Sequence, residues 1–265
     1  MKNPLSKTQI DQLGDRLRAG SHTEEDLRLL DDYRLSFREA YETVVQKIRG
    51  YGEFPTGRVD KSTLSIVEKL RRESIRLSQM QDIAGCRVKL ADILQQDHFV
   101  ASLRTLFPGA SVIDRRDKPS HGYRAVHVIA EVSGKPIEIQ VRTALQHLWA
   151  ELSEKCSDVL DPAIKYGGGP DEWRNRLTSI SKSVAIYEKF EKAHEEFEKA
   201  HSEFEKAVAE LPDHHETNQK LRRKLEVSTR GIEESRGEKV RLWNVNADLL
   251  NKMISRLDDL KRQRQ

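Results

Sequence analysis

The sequence predicts an α+β fold in which a β-sheet is flanked by helices. Three observations lead to this prediction. Apolar residues recur at helical spacing near the N-terminus, runs in the middle of the chain alternate between apolar and polar residues, and the C-terminal part returns to helical spacing. We therefore expect N-terminal helices, a central sheet and a C-terminal helical extension.

The N-terminal region, residues 1–57, is predicted to be helical. Ile10, Leu13 and Leu17 form one apolar stripe, and the pattern resumes after a break at Gly20. A segment rich in glycine, centred on Pro55, ends this helical region.

A basic helix is predicted next, from about Ser62 to Ser78. Residues Leu64, Val67 and Leu70 form its apolar stripe. Lys61, Ser65, Lys69, Arg72 and Arg76 recur at spacings of three and four and are predicted to share another face. Between residues 58 and 89 the chain holds eight Lys or Arg against four Asp or Glu, which suits a polyanionic ligand. Such a face is either a wall that binds phosphate groups or a solvated basic surface.

The middle of the chain predicts the strands of the sheet. Strands are expected at 83–90 and 111–115, with a helix at 95–107 between them, followed by strands at 123–132 and 135–142. Ser133 and Gly134 separate the last two strands, which favours a hairpin with a two-residue turn.

Alternation in the last two strands separates a core face from a polar face. In the last strand, Ile137, Ile139 and Val141 point one way, and Glu138, Gln140 and Arg142 point the other. In its neighbour, Tyr123, Ala125 and His127 are expected to share one face. The hairpin therefore presents a carboxylate, an amide and a guanidinium in a row.

The C-terminal region, residues 161–265, carries an internal repeat. Phe190, Phe197, Phe204 and Leu211 fall at one heptad position, and Ala193, Ala200 and Ala207 fall at another. A further helix is expected at 240–260. The pattern indicates a helical hairpin or a dimer stalk, and packing against the chain's own helices is favoured. We thus divide the chain into an N-terminal helical region (1–57), a core (58–160) and a helical extension (161–265).

Composition and cysteine count exclude several classes of protein. The net charge of +3 does not require a nucleic-acid partner, although 34% of residues are charged, against about 25% in an average protein. Cys86 and Cys156 lack metal-binding spacing and are too few for a disulfide framework. No apolar run approaches the roughly 18 residues that span a membrane, and the N-terminus lacks a signal-peptide core. A cytoplasmic location is expected.

Two acids, Asp82 and Glu138, are the candidate reactive groups. Adjacent strands can bring both carboxylates to one Mg²⁺, with nucleotide phosphates as further ligands. Gly85 permits a close approach, and Arg87 and Arg142 each offer a fork of donors for phosphate. The alternative interpretation is two charges at strand edges in water.

Four motifs in order resemble the synthetase domain of the RelA/SpoT family over roughly residues 45–160. They are Ser65-x-x-x-Lys69-Leu70, Asp82-x-x-Gly85-x-Arg87, Gly122-Tyr123-Arg-Ala-Val-His127 and Glu138-Ile-Gln-Val-Arg-Thr143. The resemblance implies a nucleotidyltransferase-like mixed β-sheet flanked by helices. It also implies Mg²⁺-dependent transfer of the β,γ-diphosphate of ATP to a ribose 3′-hydroxyl, with AMP released.

The resemblance also implies roles for individual residues. Asp82 is similar to the principal metal ligand, and Glu138 to a second acid that binds metal or takes the hydroxyl proton. The implied ATP-binding residues are Arg58, Lys61, Ser65, Lys69 and Arg87, with Arg58 stacking on adenine. The implied acceptor-binding residues are His121, Tyr123, His127, Gln140, Arg142 and Ala150, with Tyr123 stacking on guanine.

The chain departs from the family pattern in the loop before Gly122. This segment, residues 114–121, is shorter than in many family members and contains no tyrosine. It places His121 where family members often have asparagine. The acceptor therefore stays open between GDP or GTP, which gives guanosine tetra- or pentaphosphate, and the 3′ end of tRNA, as in toxic small members. A third alternative is a non-catalytic helical interaction protein. No hydrolase motif of the family is present, so a small, synthesis-only member is expected, with a homo-oligomer or an antitoxin as candidate partners of the C-terminal helices.

Overall fold

The computed structural model describes residues 5–211 and 216–263. The described chain forms two units. Unit 1 contains the described residues up to 89 together with 98–114 and 125–142, and unit 2 contains 90–97, 115–124 and the described residues from 143 onward.

Three helices open unit 1, in the region that the sequence predicts to be helical. They are α1 (Lys7–Ala19), α2 (Glu24–Leu35) and α3 (Arg38–Gly50). Ser6 and Thr23 cap the first two helices through capping boxes, which satisfy backbone N–H groups that a helix start leaves free. The predicted stripe of α1 is confirmed, since Leu13 and Leu17 are fully buried.

The sheet is mixed and has five strands in the described residues. The strands are β1 (Thr56–Arg58), β2 (Ala84–Leu90), β3 (Ser111–Asp114), β4 (Val126–Val132) and β5 (Lys135–Thr143), in the spatial order β1-β2-β5-β4-β3. Helices α4 (Thr63–Arg72) and α5 (Ile93–Leu106) connect the strands in sequence. The predicted α+β class with a mixed, helix-flanked sheet is thus confirmed.

The hairpin of β4 and β5 is also confirmed. The strands pair antiparallel, with His127 opposite Gln140. Ser133 and Gly134 both have positive φ values, 51° and 70°, as a tight two-residue hairpin turn of the primed type requires. Ile137, Ile139 and Val141 are fully buried, so one face of β5 enters the core as the alternation predicts.

Tyr123 does not belong to β4, contrary to the expectation that it shares a strand face with His127. The strand begins only at Val126, and Tyr123 instead forms an isolated bridge with Ser120. Left-handed backbone at His121 and Gly122, with φ of 52° and 91°, turns the chain and interrupts the extended conformation just before Tyr123.

The predicted basic helix is shorter than expected, and its buried stripe is different. The Ser62 side chain caps α4 by accepting a hydrogen bond from the Ser65 N–H, so Lys61 precedes the helix. The helix ends at Arg72, which leaves Arg76 outside it. Leu64 is 68% exposed, whereas Ile66 is buried with the predicted Val67 and Leu70. The single helix face predicted for the five polar residues is therefore wrong.

Strand β1 was not predicted, because the sequence there reads as a glycine- and proline-containing break. It is only three residues long and lies at the sheet edge, where Gly57 pairs with Cys86. A Cβ atom on Gly57 would lie 2.4 Å from the carbonyl oxygen of Gly85, so the close pairing of β1 with β2 requires glycine.

Unit 2 contains α6 (Ala144–Val159), α7 (Asp171–Ala209) and α8 (Glu216–Gln263). Their apolar faces form one cluster, which includes Leu152, Cys156, Leu177, Val184 and Leu250. Among the described residues, no helix combines the length and the apolar character needed to cross a membrane.

The favoured packing of the repeat against the chain's own helices is confirmed, since α7 and α8 pack on each other, but the Phe/Ala seam is not the buried face. Phe197 is 42% exposed, and Ala193, Ala200 and Ala207 are all exposed. The buried face of α7 instead carries His194, whose Nδ1 lies 2.8 Å from Ser235 Oγ of α8. The seam shifts because α8 offers polar partners to the polar positions of the repeat.

Candidate active site

Asp82 lies between two lysine ammonium groups in unit 1. The residue occupies a turn just before β2, rather than the strand itself. Lys61 Nζ donates to Asp82 Oδ2 at 2.5 Å, and Lys69 Nζ donates to Oδ1 at 2.9 Å. The Lys61 and Asp82 side chains are only 9% and 19% exposed. Each carboxylate oxygen thus has its own cation in a poorly solvated place.

These cations determine the charge state of Asp82. Burial by itself would raise the pKa of the carboxyl group, but the charges of Lys61 and Lys69 and their hydrogen bonds outweigh it and hold the pKa below its ordinary value. Asp82 is therefore a carboxylate at neutral pH, as a metal ligand must be.

Glu138 is held by neighbours on the polar face of the hairpin. Gln140 Nε2 donates to Glu138 Oε2 at 2.7 Å, and His127 Nδ1 lies 2.9 Å from Oε1. Arg142 Nη2 donates to Gln140 Oε1 at 2.8 Å, which extends the network along β5. The row of side chains predicted from alternation therefore forms a connected set with Glu138 at its centre.

The pKa of Glu138 is also lowered, for a different reason. Burial raises it, but the hydrogen bond and charge of His127, together with the hydrogen bond from Gln140, outweigh burial and the raising effect of the negative charge of Asp82. Since the Asp82 charge is felt at Glu138, the two acids belong to one electrostatic environment. Both are ionised at neutral pH.

Gly85 brings β2 against β5 at Glu138. A Cβ atom built on Gly85 would lie 2.9 Å from the Glu138 carbonyl oxygen and 3.4 Å from its Cβ. A side chain at this position would therefore press on the strand that carries Glu138. The close approach expected at Gly85 is thus one between the backbones of β2 and β5.

All five residues of the predicted ATP-binding set lie in unit 1. Two of them, Lys61 and Lys69, are the lysines that bind Asp82. Arg58 is exposed at the end of β1 opposite Gly85, and Arg87 is partly exposed in β2. Ser65 lies in the first turn of α4, where its Oγ accepts a hydrogen bond from Ser62 Oγ at 2.9 Å.

The predicted acceptor-binding set is divided between the units. His127, Gln140 and Arg142 belong to unit 1 and form the network around Glu138. His121, Tyr123 and Ala150 belong to unit 2.

In unit 2, Tyr123 is held beside α6. A Cβ atom on Gly122 would lie 2.7 Å from the Trp149 ring, so this glycine packs directly on tryptophan. The Tyr123 and Trp149 ring centroids are 6.5 Å apart at 54°. Ala150 is buried in the cluster that Tyr123 packs against, and His121 is exposed with its ring close to Gly167.

The donor set formed by Asp82 and Glu138 fits Mg²⁺. Magnesium is usually bound through one or two carboxylates together with substrate phosphates, not by a full protein cage. The described part of the chain holds no group of three or more His, Cys, Asp or Glu arranged for a metal ion. The fit therefore depends on a phosphate-bearing substrate.

A cavity of about 550 Å³ in unit 1 is lined by other residues. Its walls come from α1 and from the segment that ends α4, and they include Asp11, Arg18, Arg71 and Arg76. None of the predicted site residues lines this cavity, and its lining mixes acidic and basic side chains. The predicted residues, and not this cavity, therefore define the candidate site.

The sequence did not reveal several residues that shape the site. The pairing of both lysines with Asp82 bridges separations of 21 and 13 positions, which no local pattern encodes. In unit 2, Ser181 and Glu188 contact the segment around Tyr123. Their polar character at buried positions of α7 was the available signal.

The mixed five-stranded sheet flanked by helices places the chain in the α+β class. Residues 57–157 match the family model described as a region found in RelA / SpoT proteins. The resemblance to the RelA/SpoT synthetase region that the sequence motifs indicate is thereby confirmed for residues 57–157.

Similar proteins include two relatives described as uncharacterized, one from Mycobacterium bovis and one from Mycobacterium tuberculosis. Each is 33% identical over 179 residues, which cover 64% of this chain and 65% of the relative. The chain thus spans just under two thirds of the length of these relatives.

Among solved structures, small alarmone synthetase 1 from Bacillus subtilis is 26% identical, with a TM-score of 0.47, covering 60% of this chain and 92% of that one. A second structure of that synthetase, bound to AMPCPP, is 26% identical with a TM-score of 0.42, covering 60% and 91%.

Proposed function

We propose that the chain is a Mg²⁺-dependent diphosphokinase that transfers the β,γ-diphosphate of ATP to the 3′-hydroxyl of GDP or GTP. The observation that carries this proposal is the pair of ionised acids, Asp82 among lysines and Glu138 within a hydrogen-bonded row. Both lie in the part of the chain that matches the RelA/SpoT family model.

The donor half of the proposed site is basic. In the structure, Lys61 and Lys69 neutralise Asp82, and they have the charge and reach to bind ATP phosphates as well. Ser65 and Arg87 add a hydroxyl and a guanidinium fork for phosphate, and Arg58 is assigned to the adenine face. Phosphoryl transfer depends mainly on such charge neutralisation and positioning.

Asp82 is proposed as the principal residue that would hold the metal ion, and Glu138 as the second acid, which would bind the metal or take the hydroxyl proton. Mg²⁺ when bound would neutralise charge on the β- and γ-phosphates. The protein's own contribution is to keep both acids ionised and fixed, Asp82 by its lysines and Glu138 by His127 and Gln140.

In the proposed transfer step, the acceptor 3′-oxygen forms a bond to the β-phosphorus of ATP. The bond between that phosphorus and the oxygen bridging to the α-phosphate breaks, and AMP leaves with the bonding electrons. The 3′-hydroxyl proton passes to the Glu138 carboxylate, whose orientation the His127 and Gln140 contacts fix.

We assign the acceptor nucleotide to Tyr123, as a stacking platform for guanine, and to His121, His127, Gln140, Arg142 and Ala150. A guanine nucleotide is favoured over tRNA because the basic loop residue Arg116 is already engaged. Its Nη1 lies 2.6 Å from Asp97 Oδ1, and its side chain is 18% exposed. This cation of the loop is therefore already paired and less available to an RNA backbone.

The test is a label-transfer assay with γ-labelled ATP and Mg²⁺, offering GDP, GTP or deacylated tRNA as acceptor. We expect label on the guanine nucleotides, and loss of transfer in Glu138→Gln with ATP binding retained. Glu131→Gln is the matched control, because Glu131 is an exposed glutamate on the adjacent strand β4. Label on tRNA alone would replace the acceptor assignment, and absence of transfer to all three would reject the proposed activity.

A further inference from the structure

Helix α7 contacts the chain on both sides of Tyr123. Ser181 Oγ donates to the Gly122 carbonyl at 2.6 Å, and Arg124 Nη2 donates to Glu188 Oε2 at 2.9 Å. Ser181 and Glu188 are seven positions apart, about two helical turns, so both project from one face of α7. The helix thus holds the residue before Tyr123 and the residue after it.

Glu188 also joins α7 to the start of α6. Its Oε1 accepts hydrogen bonds from Gln146 Nε2 at 2.6 Å and from Thr143 Oγ1 at 3.1 Å. The Glu188 side chain is only 4% exposed. One buried carboxylate therefore fixes the guanidinium next to Tyr123 and the first turn of the helix that carries Trp149.

The connections continue from Arg124 into the loop of residues 115–124. The Arg124 guanidinium donates through Nη1 to the Arg116 carbonyl oxygen, and Arg116 in turn binds Asp97. Together with the Ser181 contact, these bonds hold the loop at several points along its length.

The buried ion pair of Arg124 and Glu188 is better explained by positioning than by stability. Well-packed apolar residues in place of a buried ion pair are often as stabilising or more so. The Arg124 and Glu188 side chains are 12% and 4% exposed, so the pair has lost most of its hydration. Such a pair does, however, fix geometry strictly, because a misplaced partner leaves a buried charge unsatisfied.

We propose that Glu188 and Ser181 are positioning residues for the acceptor. In this inference the beginning of the C-terminal helical extension sets the conformation of Gly122–Arg124, and through it the affinity for the guanine nucleotide. The effect on acceptor affinity rests on the proposed function of Tyr123, whereas the effect on the conformation of the segment does not.

The experiment compares Glu188→Gln and Ser181→Ala with the control Glu195→Gln, an exposed glutamate on the same helix. Hydrogen exchange is measured for the amides of residues 120–125. We expect faster exchange there in both test variants and unchanged exchange in the control. In the label-transfer assay, we expect the KM for GDP to rise about tenfold in Glu188→Gln, with the KM for ATP unchanged.

The readouts separate this inference from the proposed function. If the wild-type chain transfers no label, the proposed function fails, and the exchange data still decide whether α7 orders the segment. Exchange equal to that of the control overturns the positioning role, and a KM for ATP that rises as much as that for GDP overturns the acceptor role. Circular dichroism monitors folding, and if Glu188→Gln does not fold, Ser181→Ala, which removes one hydrogen bond, decides the question by the same readouts.

Discussion

Replacing Gly85 with alanine should move Glu138 and impair catalysis without touching a charged group. The new Cβ would lie 2.9 Å from the Glu138 carbonyl oxygen, where ordinary contact begins at 3.4 Å. The neighbouring atom is backbone, so the strands must separate by about half an ångström or the β5 backbone must tilt. Since φ at Gly85 is outside the left-handed region, space alone decides the outcome.

The expected magnitudes follow from this overlap. Overpacking of this kind costs about 1–3 kcal/mol, and a protein of this size loses about 2–4 °C of Tm per kcal/mol. We therefore expect Tm to fall by a few degrees. A misplacement of about 1 Å in a catalytic group costs about a hundredfold in rate, so a smaller shift should lower kcat by about tenfold.

The assay combines thermal unfolding followed by circular dichroism with label transfer from ATP to GDP. Gly237→Ala is the control, because Gly237 is exposed on α8 and a Cβ there meets nothing within 4 Å. That variant should keep full activity and an equal or slightly higher Tm. If Gly85→Ala matches Gly237→Ala in both measurements, the close approach of the strands is not what positions Glu138.

Three further predictions concern charge and burial. Lys69→Gln should raise the KM for ATP at least about tenfold and leave the KM for GDP nearly unchanged, as steady-state kinetics with each substrate varied will show. The hydrogen bond from Arg16 holds the pKa of Asp26 at about 2, below its usual 3.8. The stability that the ionised Asp26 contributes should therefore be complete above about pH 4 and be lost as the pH falls from about 4 to about 2. Urea midpoints of Asp26→Asn should accordingly fall less over that window than those of wild type. Burial raises the pKa of the Cys86 thiol to about 12 and that of Cys156 to about 11, so a thiol reagent at pH 8 should label both rapidly only after unfolding.

Strand β5 shows how much of the site local sequence predicts. Alternation with a period of two assigns each side chain to a face without knowledge of any partner. It therefore predicted the polar row of Glu138, Gln140 and Arg142, and the two-residue turn predicted the hairpin that places His127 beside it. These features depend only on near neighbours in the chain.

The features that sequence reasoning missed depend on distant partners. Strand β1 exists only because β2 supplies its hydrogen bonds, and three exposed residues carry no periodic signal. The repeat in α7 gave the correct period but the wrong face, because a heptad does not state which of its stripes the partner helix contacts. Residues of α8, such as Ser235, decided that the face carrying His194 would be buried.

Asp82 and Glu138 are kept ionised by different partners, and this difference supports different roles for them. Asp82 is balanced by Lys61 and Lys69, the same cations that the proposed function assigns to ATP, so phosphates that approach these lysines compete with Asp82 for them. Glu138 instead receives its hydrogen bonds from His127 and Gln140, which are not assigned to ATP, and it is oriented without the donor nucleotide. ATP binding should therefore change the surroundings of Asp82 much more than those of Glu138. A group whose partners change on donor binding suits a ligand shared with phosphates, and a group fixed in advance suits a proton acceptor.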